Sequence, residues 1–311
     1  MLACVLAVVP RTTDAWLRRA LPRALGAALA LLTLASFGIL VARTLELNDG
    51  RWHPLYSDAW RVLELTHFGH VWLWRVPMLA AAWAAWVCLW QRQRPGCAWV
   101  LAAAVAVIVF TRSATGHAAD DGTFAIPVWV DWLHVPAAGA WVGSLFGMSL
   151  VVFPWLTHRL EAQPVVRAAE AFQRLSTLSG VALAVLLAAG IYSASRMLGP
   201  PSSLWTTRFG IALDVKLGVV LLMILMGAHN RYVRLPRLLR CMGPRPRLSR
   251  VARMLRGRRF DATRVADGPT VVRRCARAVL VEAVLGLVVI GATAVLIHQM
   301  PPAELAVHGV M

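Results

Sequence analysis

Two histidines flank a short polar loop in the middle of the chain. His117 ends one hydrophobic run, and His134 lies inside the next run, three residues after Asp131. Ionisable side chains at membrane depth are costly and usually functional, and imidazole is a common ligand of copper and of haem iron. The pair therefore indicates a metal or haem site. Asp131 shares a helix face with His134, where its carboxylate would orient the imidazole.

Further candidate ligands precede the second hydrophobic run and follow the last one. His67 and His70 are three residues apart, so on a helix they share one face. His298 and Met300 close the final run. Histidine and methionine together suit copper, because imidazole binds both of its oxidation states and thioether prefers Cu(I). We predict a metal site formed by His67, His70, His117, His134, His298 and Met300.

Three more ionisable residues lie within later hydrophobic runs. Asp214 and Lys216 lie at a depth similar to that of His134, counted at about 1.5 Å per residue. Glu282 lies nearer the other end of its run, where it would either pair with an arginine or form one step of an ion path. We predict that these residues and Asp131 support or line the path.

The composition predicts that membrane helices position these side chains. The 311 residues are 59% hydrophobic and 15% charged, and the mean hydropathy is +0.62. A soluble domain is nearer half apolar and about a quarter charged. Seven runs approach the ~20 apolar residues that cross a bilayer, and they are residues 23–43, 71–90, 97–114, 127–155, 173–195, 208–229 and 276–299. We predict an all-α, polytopic transmembrane helix bundle of about seven spans.

The formal charge of +17 comes almost entirely from arginines beside the ends of these runs. They precede the first span and fill alternate loops, whereas the intervening loops are relatively acidic. The positive-inside rule therefore predicts the N-terminus inside and the C-terminus outside. This placement argues for contact with membrane lipid and against nucleic acid as a partner. Tryptophans near span ends, such as Trp72 and Trp155, are typical of interfacial anchors.

The topology divides the chain into three parts. Residues 1–22 form an N-terminal cytoplasmic or interfacial segment. Residues 23–155 contain four membrane helices with histidine-bearing outer loops, and residues 156–311 contain three helices with a basic inner loop at 230–275. We find no internal repeat and no nucleotide-binding motif.

The cysteines fall mainly on the predicted inner side. There are five, and an odd number argues against a disulfide framework. The inner thiols, which belong to Cys88, Cys97, Cys241 and Cys275, could receive Cu(I).

Several segments together resemble the CopD copper-resistance family. They cover most of the chain in order: LTHFGHVWLWR (65–75), TGHAA (115–119), VDWLHVPAAGAWVGSL (130–145), FQRLSTLSGVALAVLLAAGIYSA (172–194), TRFGIALDVKLGVVLLMILMGAHNR (207–231) and VEAVLGLVVIGATAVLIHQMPP (281–302). The resemblance implies a bacterial inner-membrane protein that passes copper from periplasm to cytoplasm. It also implies a small periplasmic copper-binding partner of the CopC type. Family members usually have one more N-terminal helix, so a longer form would have eight spans, and MLACVLAVVP is then either an interfacial turn or the remnant of that helix.

Two alternatives to copper passage remain open from the residues. The first is a b-type haem electron-transfer protein in which outer-leaflet histidines hold haem b. The second is a sensor or assembly partner that docks a periplasmic chaperone without transport. The sequence contains neither a Ser-His-Asp nor an HExxH arrangement, so we predict that the protein is not an enzyme.

Overall fold

The regular structure is helical throughout the residues described. The computed structural model describes residues 2–4, 15–50, 52, 54–92, 94–158, 164–198, 200, 202–240, 268–297 and 299, and no strand occurs among them. Seven stretches are long and apolar enough to span a membrane, namely Arg19–Leu47, His67–Arg92, Gly96–Ser113, Ile126–Leu156, Arg167–Met197, Arg208–Arg237 and Thr270–Leu296. The all-α bundle of about seven spans is thereby confirmed.

The helices group into two compact units. The N-terminal unit comprises residues 18–137, and the C-terminal unit contains residues 138–311. The N-terminal unit contains α1 (Ala15–Leu47), α2 (Leu55–Leu65), α3 (His67–Leu73), α4 (Arg75–Arg92), α5 (Pro95–Ser113), a 3-10 turn (His117–Ala119) and the start of α6 (Ile126–Gly147). Helices α4 and α5 pack closely as an antiparallel hairpin. Pro95 is the first residue of α5, a position where the missing N–H costs nothing.

Tryptophan side chains connect the helices of the N-terminal unit. The indole nitrogen of Trp72 donates to the Ser36 carbonyl on α1 at 3.0 Å, and that of Trp86 donates to the Pro22 carbonyl at 2.8 Å. Trp72 is only 2% exposed, and Trp155 of the C-terminal unit is also buried. The interpretation of these two tryptophans as interfacial anchors was therefore wrong. Both are packed within the protein.

Two helices of the C-terminal unit contain π-helical segments. The unit consists of the end of α6, a π segment (Met148–Val152), α7 (Phe153–His158), α8 (Pro164–Met197), α9 (Ser203–Thr206), α10 (Arg208–His229), a second π segment (Asn230–Arg234), α11 (Leu235–Arg240) and α12 (Gly268–Ile297). Both π segments pack against α12. A π segment forms hydrogen bonds between residues i and i+5 instead of i and i+4, and such segments are frequent at functional sites.

Helix α12 presents one buried stripe to its neighbours. Val272, Cys275, Val279 and Glu282 are all buried, and their spacing of three or four residues places them on a single face. A Cβ at Gly286 would come within 2.9 Å of the Val142 side chain, so this glycine permits close packing of α6 on α12. The carboxylate of Glu282 therefore lies on an otherwise apolar, buried face of α12.

A short motif occurs once in each unit and precedes the start of a membrane span in both. Thr66 and Thr207 each take extended backbone conformations and accept a hydrogen bond from the glycine three residues later, at 2.9 and 3.0 Å. The sequences are THFG at 66–69 and TRFG at 207–210. The conclusion that the chain has no internal repeat therefore needs correction, because this capped start is repeated.

The two glycines of the motif are required by the preceding helix. A Cβ at Gly69 would overlap the backbone of Val62 and Leu63, which end α2. A Cβ at Gly210 would overlap the backbone of Ser203 and Leu204 in α9 in the same way. In both units, then, a short helix is packed against the first turn of the next helix, and only glycine leaves room for it.

Candidate functional site

The repeated motif positions the first two histidines of the predicted site. The Thr66 hydroxyl accepts from Gly69 N and donates to the Val62 carbonyl at 2.6 Å, which fixes the first turn of α3. Threonine is a favoured N-cap residue because its oxygen satisfies an otherwise unpaired helix N–H. His67 and His70 follow as the first and fourth residues of α3, so they share one side of its first turn.

The ring contacts of these histidines define how they could bind a metal. Nε2 of His70 lies 2.8 Å from the Glu64 carbonyl oxygen. Because a carbonyl only accepts, Nε2 is the donor in this contact, which leaves Nδ1 as the ring nitrogen available to a metal. Nε2 of His67 lies 3.4 Å from the Thr123 hydroxyl. Two imidazoles on α3 are thus oriented by neighbouring oxygens.

The contact between His67 and Thr123 links α3 to the polar loop between α5 and α6. This loop contains the 3-10 turn that begins at His117, and it bends at Gly122, whose φ of +121° few other residues adopt. The position of the His117 side chain lies outside the described part of the structure. The two histidine-bearing segments of the N-terminal unit are nevertheless joined by one side-chain contact.

Asp131 has a partner that the sequence analysis did not identify. Its Oδ2 accepts a hydrogen bond from Nη1 of Arg112 at 2.6 Å, which forms an ion pair between α6 and α5. His134 is half-buried one turn further along α6, about 12 Å from the start of that helix at 1.5 Å per residue. The carboxylate beside His134 is therefore already neutralised by a guanidinium.

Arg75 is a buried polar residue whose role the sequence analysis missed. An arginine at the start of a span is expected to extend toward the interface, yet Arg75 is 2% exposed and its Nε donates to the Thr111 hydroxyl at 2.7 Å. The motif shared by THFG and TRFG would have identified Arg75 from the sequence. Arg75 follows Thr66 by nine residues, and Lys216 follows Thr207 by nine, so each unit has a basic residue at this position.

Glu282 is the centre of a polar cluster in the C-terminal unit. Its Oε1 accepts a short hydrogen bond from the Asn230 amide, and the Asn230 Oδ1 accepts from Arg234 Nη1 at 2.8 Å. Asn230 and Arg234 are the ends of the second π segment. The sequence suggested an arginine partner such as Arg174, but the direct partner is an asparagine, because the π segment turns Asn230 toward α12.

A cavity of about 220 Å³ adjoins this cluster. Apolar side chains form most of its wall, and its polar lining comes from Ser176, Ser179, Asn230, Arg231 and Glu282. Arg231 Nη1 donates to the Ser176 carbonyl at 3.3 Å, which connects the π segment to α8. The C-terminal unit therefore contains a mainly apolar cavity with polar groups on one part of its wall.

The remaining predicted path residues lie on α10. Asp214 is exposed and Lys216 is half-buried. Their spacing of two residues directs them away from each other on a helix. Both belong to the C-terminal unit, whereas His134 belongs to the N-terminal unit, and their role as path residues stays a prediction.

The predicted ligand set is only partly described by the structure. Among the described residues, no three His, Cys, Asp or Glu side chains come together as a metal-binding group. His298 and Met300 lie outside the described residues, as does the His117 side chain. The assignment of these six residues as ligands therefore stays a prediction.

Two of the predicted inner cysteines are joined. Cys88 of α4 and Cys97 of α5 form a disulfide with their Cα atoms 6.2 Å apart. The odd number of cysteines argued against a disulfide framework, but it does not prevent one pair from forming. The α4–α5 hairpin explains the pair, because its packing brings the end of one helix beside the start of the next.

Seven spans in two helical units define a polytopic membrane protein, and the comparisons with known proteins specify its family. Residues 169–296 match the family model "Copper resistance protein D", and residues 1–126 match "Copper resistance protein D-like, N-terminal domain". The chain belongs to the CopD family of copper-handling proteins, which confirms the resemblance. It is a multi-pass protein of the inner membrane.

Three relatives illustrate the similarity. Inner membrane protein YebZ of Escherichia coli (strain K12) is 28% identical over 60% of this chain and 62% of its own length. Copper resistance protein D of Pseudomonas syringae pv. tomato is 26% identical over 70% of each chain. Copper transport protein CutJ of Bacillus subtilis (strain 168) is 28% identical over 39% of this chain and 22% of its own length.

The chain therefore spans less than two thirds of YebZ and less than a quarter of CutJ. No solved structure matches it. The matching descriptions concern copper resistance and transport rather than catalysis, and they give the haem alternative no support.

Proposed function

We propose that the protein moves copper from the periplasm to the cytoplasm and captures it at an outer-leaflet site of the N-terminal unit. His67, His70, His117 and His134 supply the imidazoles. The observation that carries the proposal is the His67–Thr123 contact, since it joins α3, with two histidines, to the loop that contains His117. Copper is the cargo of this site.

The electrostatics of the site suit capture followed by release. The imidazoles are neutral donors, and the Arg112–Asp131 ion pair leaves no net charge beside His134. A transported ion must bind well enough to enter and weakly enough to leave. A site of neutral imidazoles without an uncompensated carboxylate meets that requirement better than a cage of carboxylates would. In this proposal, Asp131 orients the imidazole of His134.

The later part of the path runs, in this proposal, through the ionisable residues of the C-terminal unit. Asp214, Lys216 and Glu282 supply polar positions along helices that are otherwise apolar. The cavity beside Glu282 supports this assignment, because a polar group at membrane depth with space next to it is typical of ion pathways.

A periplasmic copper-binding protein of the CopC type is the partner we propose at the outer face. The loop between α5 and α6 contains Asp120 and Asp121 beside His117. Such a loop offers both a charged contact surface for a protein that delivers copper and a receiving imidazole.

Copper accumulation in cells tests the proposal. Cells that produce the protein should accumulate more copper than cells with an empty vector. His134→Ala should reduce that gain several-fold, because it removes the imidazole at membrane depth. His229→Ala is the matched control, since His229 is exposed at the end of α10 and should leave accumulation unchanged. Protein levels are equalised by immunoblot.

Two outcomes would contradict different parts of the proposal. Equal copper in cells with and without the protein would overturn import. Import that persists at the wild-type level in His134→Ala would overturn the histidine site while leaving import intact.

A further inference from the structure

The cysteine pair at the end of the α4–α5 hairpin has no part in the outer site. Cys88 lies near the end of α4 and Cys97 near the start of α5, nine residues apart in sequence. Both are partly exposed on the surface of the protein. Arg92 and Arg94 flank the turn between them, and the positive-inside rule therefore predicts that this turn faces the cytoplasm.

A cytoplasmic location changes the chemistry expected of the pair. Disulfides rarely persist in the cytosol, because low-molecular-weight thiols keep cysteines reduced. Exchange with two such thiols converts the Cys88–Cys97 disulfide into two protein thiols and releases one external disulfide. The product is a pair of thiols held side by side by two packed helices.

The pair supplies two thiolate ligands, and this number favours Cu(I) over structural zinc. Two thiolates whose Cα atoms are 6.2 Å apart can both reach one ion. Structural zinc requires four ligands, and no third His, Cys, Asp or Glu joins them within the described part of the chain. Soft thiolate ligands favour Cu(I), and Cu(I) is satisfied by two sulfur ligands in a linear arrangement.

We propose that Cys88 and Cys97, in their reduced form, constitute a two-coordinate Cu(I) site on the cytoplasmic side of the membrane. Binding forms two S–Cu bonds and releases the two thiol protons, with no change in the oxidation state of copper. The site extends the proposed function by giving incoming copper an inner acceptor. It does not depend on the outer histidines, because its ligands come from α4 and α5 alone.

Titration of the purified full-length protein with Cu(I) tests this proposal. The protein in detergent is reduced with dithiothreitol, desalted without oxygen and titrated in competition with a chromophoric Cu(I) chelator. The variant Cys88→Ser/Cys97→Ser should bind about one equivalent of Cu(I) less than wild type and should lose the near-ultraviolet thiolate-to-copper absorption. Each single variant should show the same loss, because two-coordinate binding needs both sulfurs.

Two controls separate this site from general thiol binding and from misfolding. Cys4→Ser removes a buried cysteine outside the pair and should bind like wild type. Wild-type protein that has been oxidised to the disulfide should bind like the double variant while sharing its elution profile in size-exclusion chromatography. Equal Cu(I) stoichiometry in reduced wild type and in a monodisperse double variant would overturn the proposal.

The resting state of the pair is tested separately in cells. Rapid alkylation should label both cysteines, as expected for a dithiol in a reducing compartment. Cysteines that resist alkylation until a reductant is added would show a persistent disulfide and overturn the assignment. Neither experiment depends on the copper accumulation assay, so failure of the outer histidine site would leave these results unaffected.

Discussion

Acidic side chains within the spans are held in a different way in each unit. In the N-terminal unit, Asp131 pairs with a guanidinium at 2.6 Å. In the C-terminal unit, Glu282 accepts from the Asn230 amide, which is itself held by Arg234. Removing one member of a buried pair leaves the other without a partner, and this costs more than the net value of the bond. The buried Glu282 carboxylate therefore contributes to folding whatever its role in transport.

Substitution of Glu282 should reveal this contribution. Glu282→Ala should lower the free energy of unfolding by about 1–3 kcal/mol, because the Asn230 amide would be left buried without an acceptor. Glu282→Gln should cost less, since the amide oxygen can still accept from Asn230. Thermal unfolding in detergent, followed by size-exclusion chromatography, measures both.

Glu170→Ala is the matched control for this series, because Glu170 is exposed on α8 of the same unit. It should stay within about 0.5 kcal/mol of wild type. Equal stability of Glu282→Ala and the control would contradict the assigned role of the Glu282–Asn230 bond.

Sequence reasoning identified the ionisable residues at membrane depth but not their partners. Asp131 and Arg112 are 19 residues apart, and Asn230 and Glu282 are 52 residues apart. Each contact depends on which faces of two helices meet, and one sequence does not determine that. The partner of the buried Arg75 was missed for the same reason, because Thr111 lies on another helix, α5.

At the scale of elements, the start of a helix can be predicted from its local sequence, whereas irregularities within a helix cannot. Span lengths were predictable because a bilayer requires about 20 apolar residues per helix. The capped starts at Thr66 and Thr207 follow from threonine and glycine at fixed spacing. The two π segments left no comparable signal in the sequence, since they depend on how α12 packs against them.

The glycines of the repeated motif provide a test at this scale. Gly69→Ala and Gly210→Ala should each destabilise the protein by about 1–3 kcal/mol, because the new methyl group would overlap the backbone of the preceding short helix. Backbone atoms cannot move aside as a flexible side chain can. The midpoint of thermal unfolding measures the effect.

Gly96→Ala and Gly218→Ala serve as paired controls, one in each unit. A Cβ at either position would meet nothing within 4 Å, so these variants should match wild type or gain about 0.4–1 kcal/mol. Similar melting temperatures for all four variants would contradict the close approach of α2 to Gly69 and of α9 to Gly210.

At the scale of the whole molecule, the distribution of arginine predicts the orientation in the membrane. Arginine-rich loops alternate with loops that carry less positive charge along the seven spans of the described residues. This pattern places the α4–α5 turn inside and the α5–α6 loop outside. The proposed entry site and the proposed Cu(I) acceptor depend on these opposite locations.

Cysteine labelling of the full chain checks the orientation. In a variant whose five cysteines are replaced, Asp121→Cys should react with a membrane-impermeant maleimide in intact spheroplasts. Arg94→Cys should react only after the membrane is permeabilised, because the reagent cannot reach the cytoplasmic side. The reverse pattern would overturn the orientation and with it the direction proposed for copper.

The THFG and TRFG starts give the two units the same local architecture with different chemistry. Threonine, phenylalanine, glycine and a basic residue occur at matching positions, whereas the residues between them differ. His67 and His70 of the first start correspond to Arg208 and Ile211 of the second. The first start therefore carries two imidazoles on one helix face, and the second carries none. Arg208→His together with Ile211→His would place a second imidazole pair on the same framework.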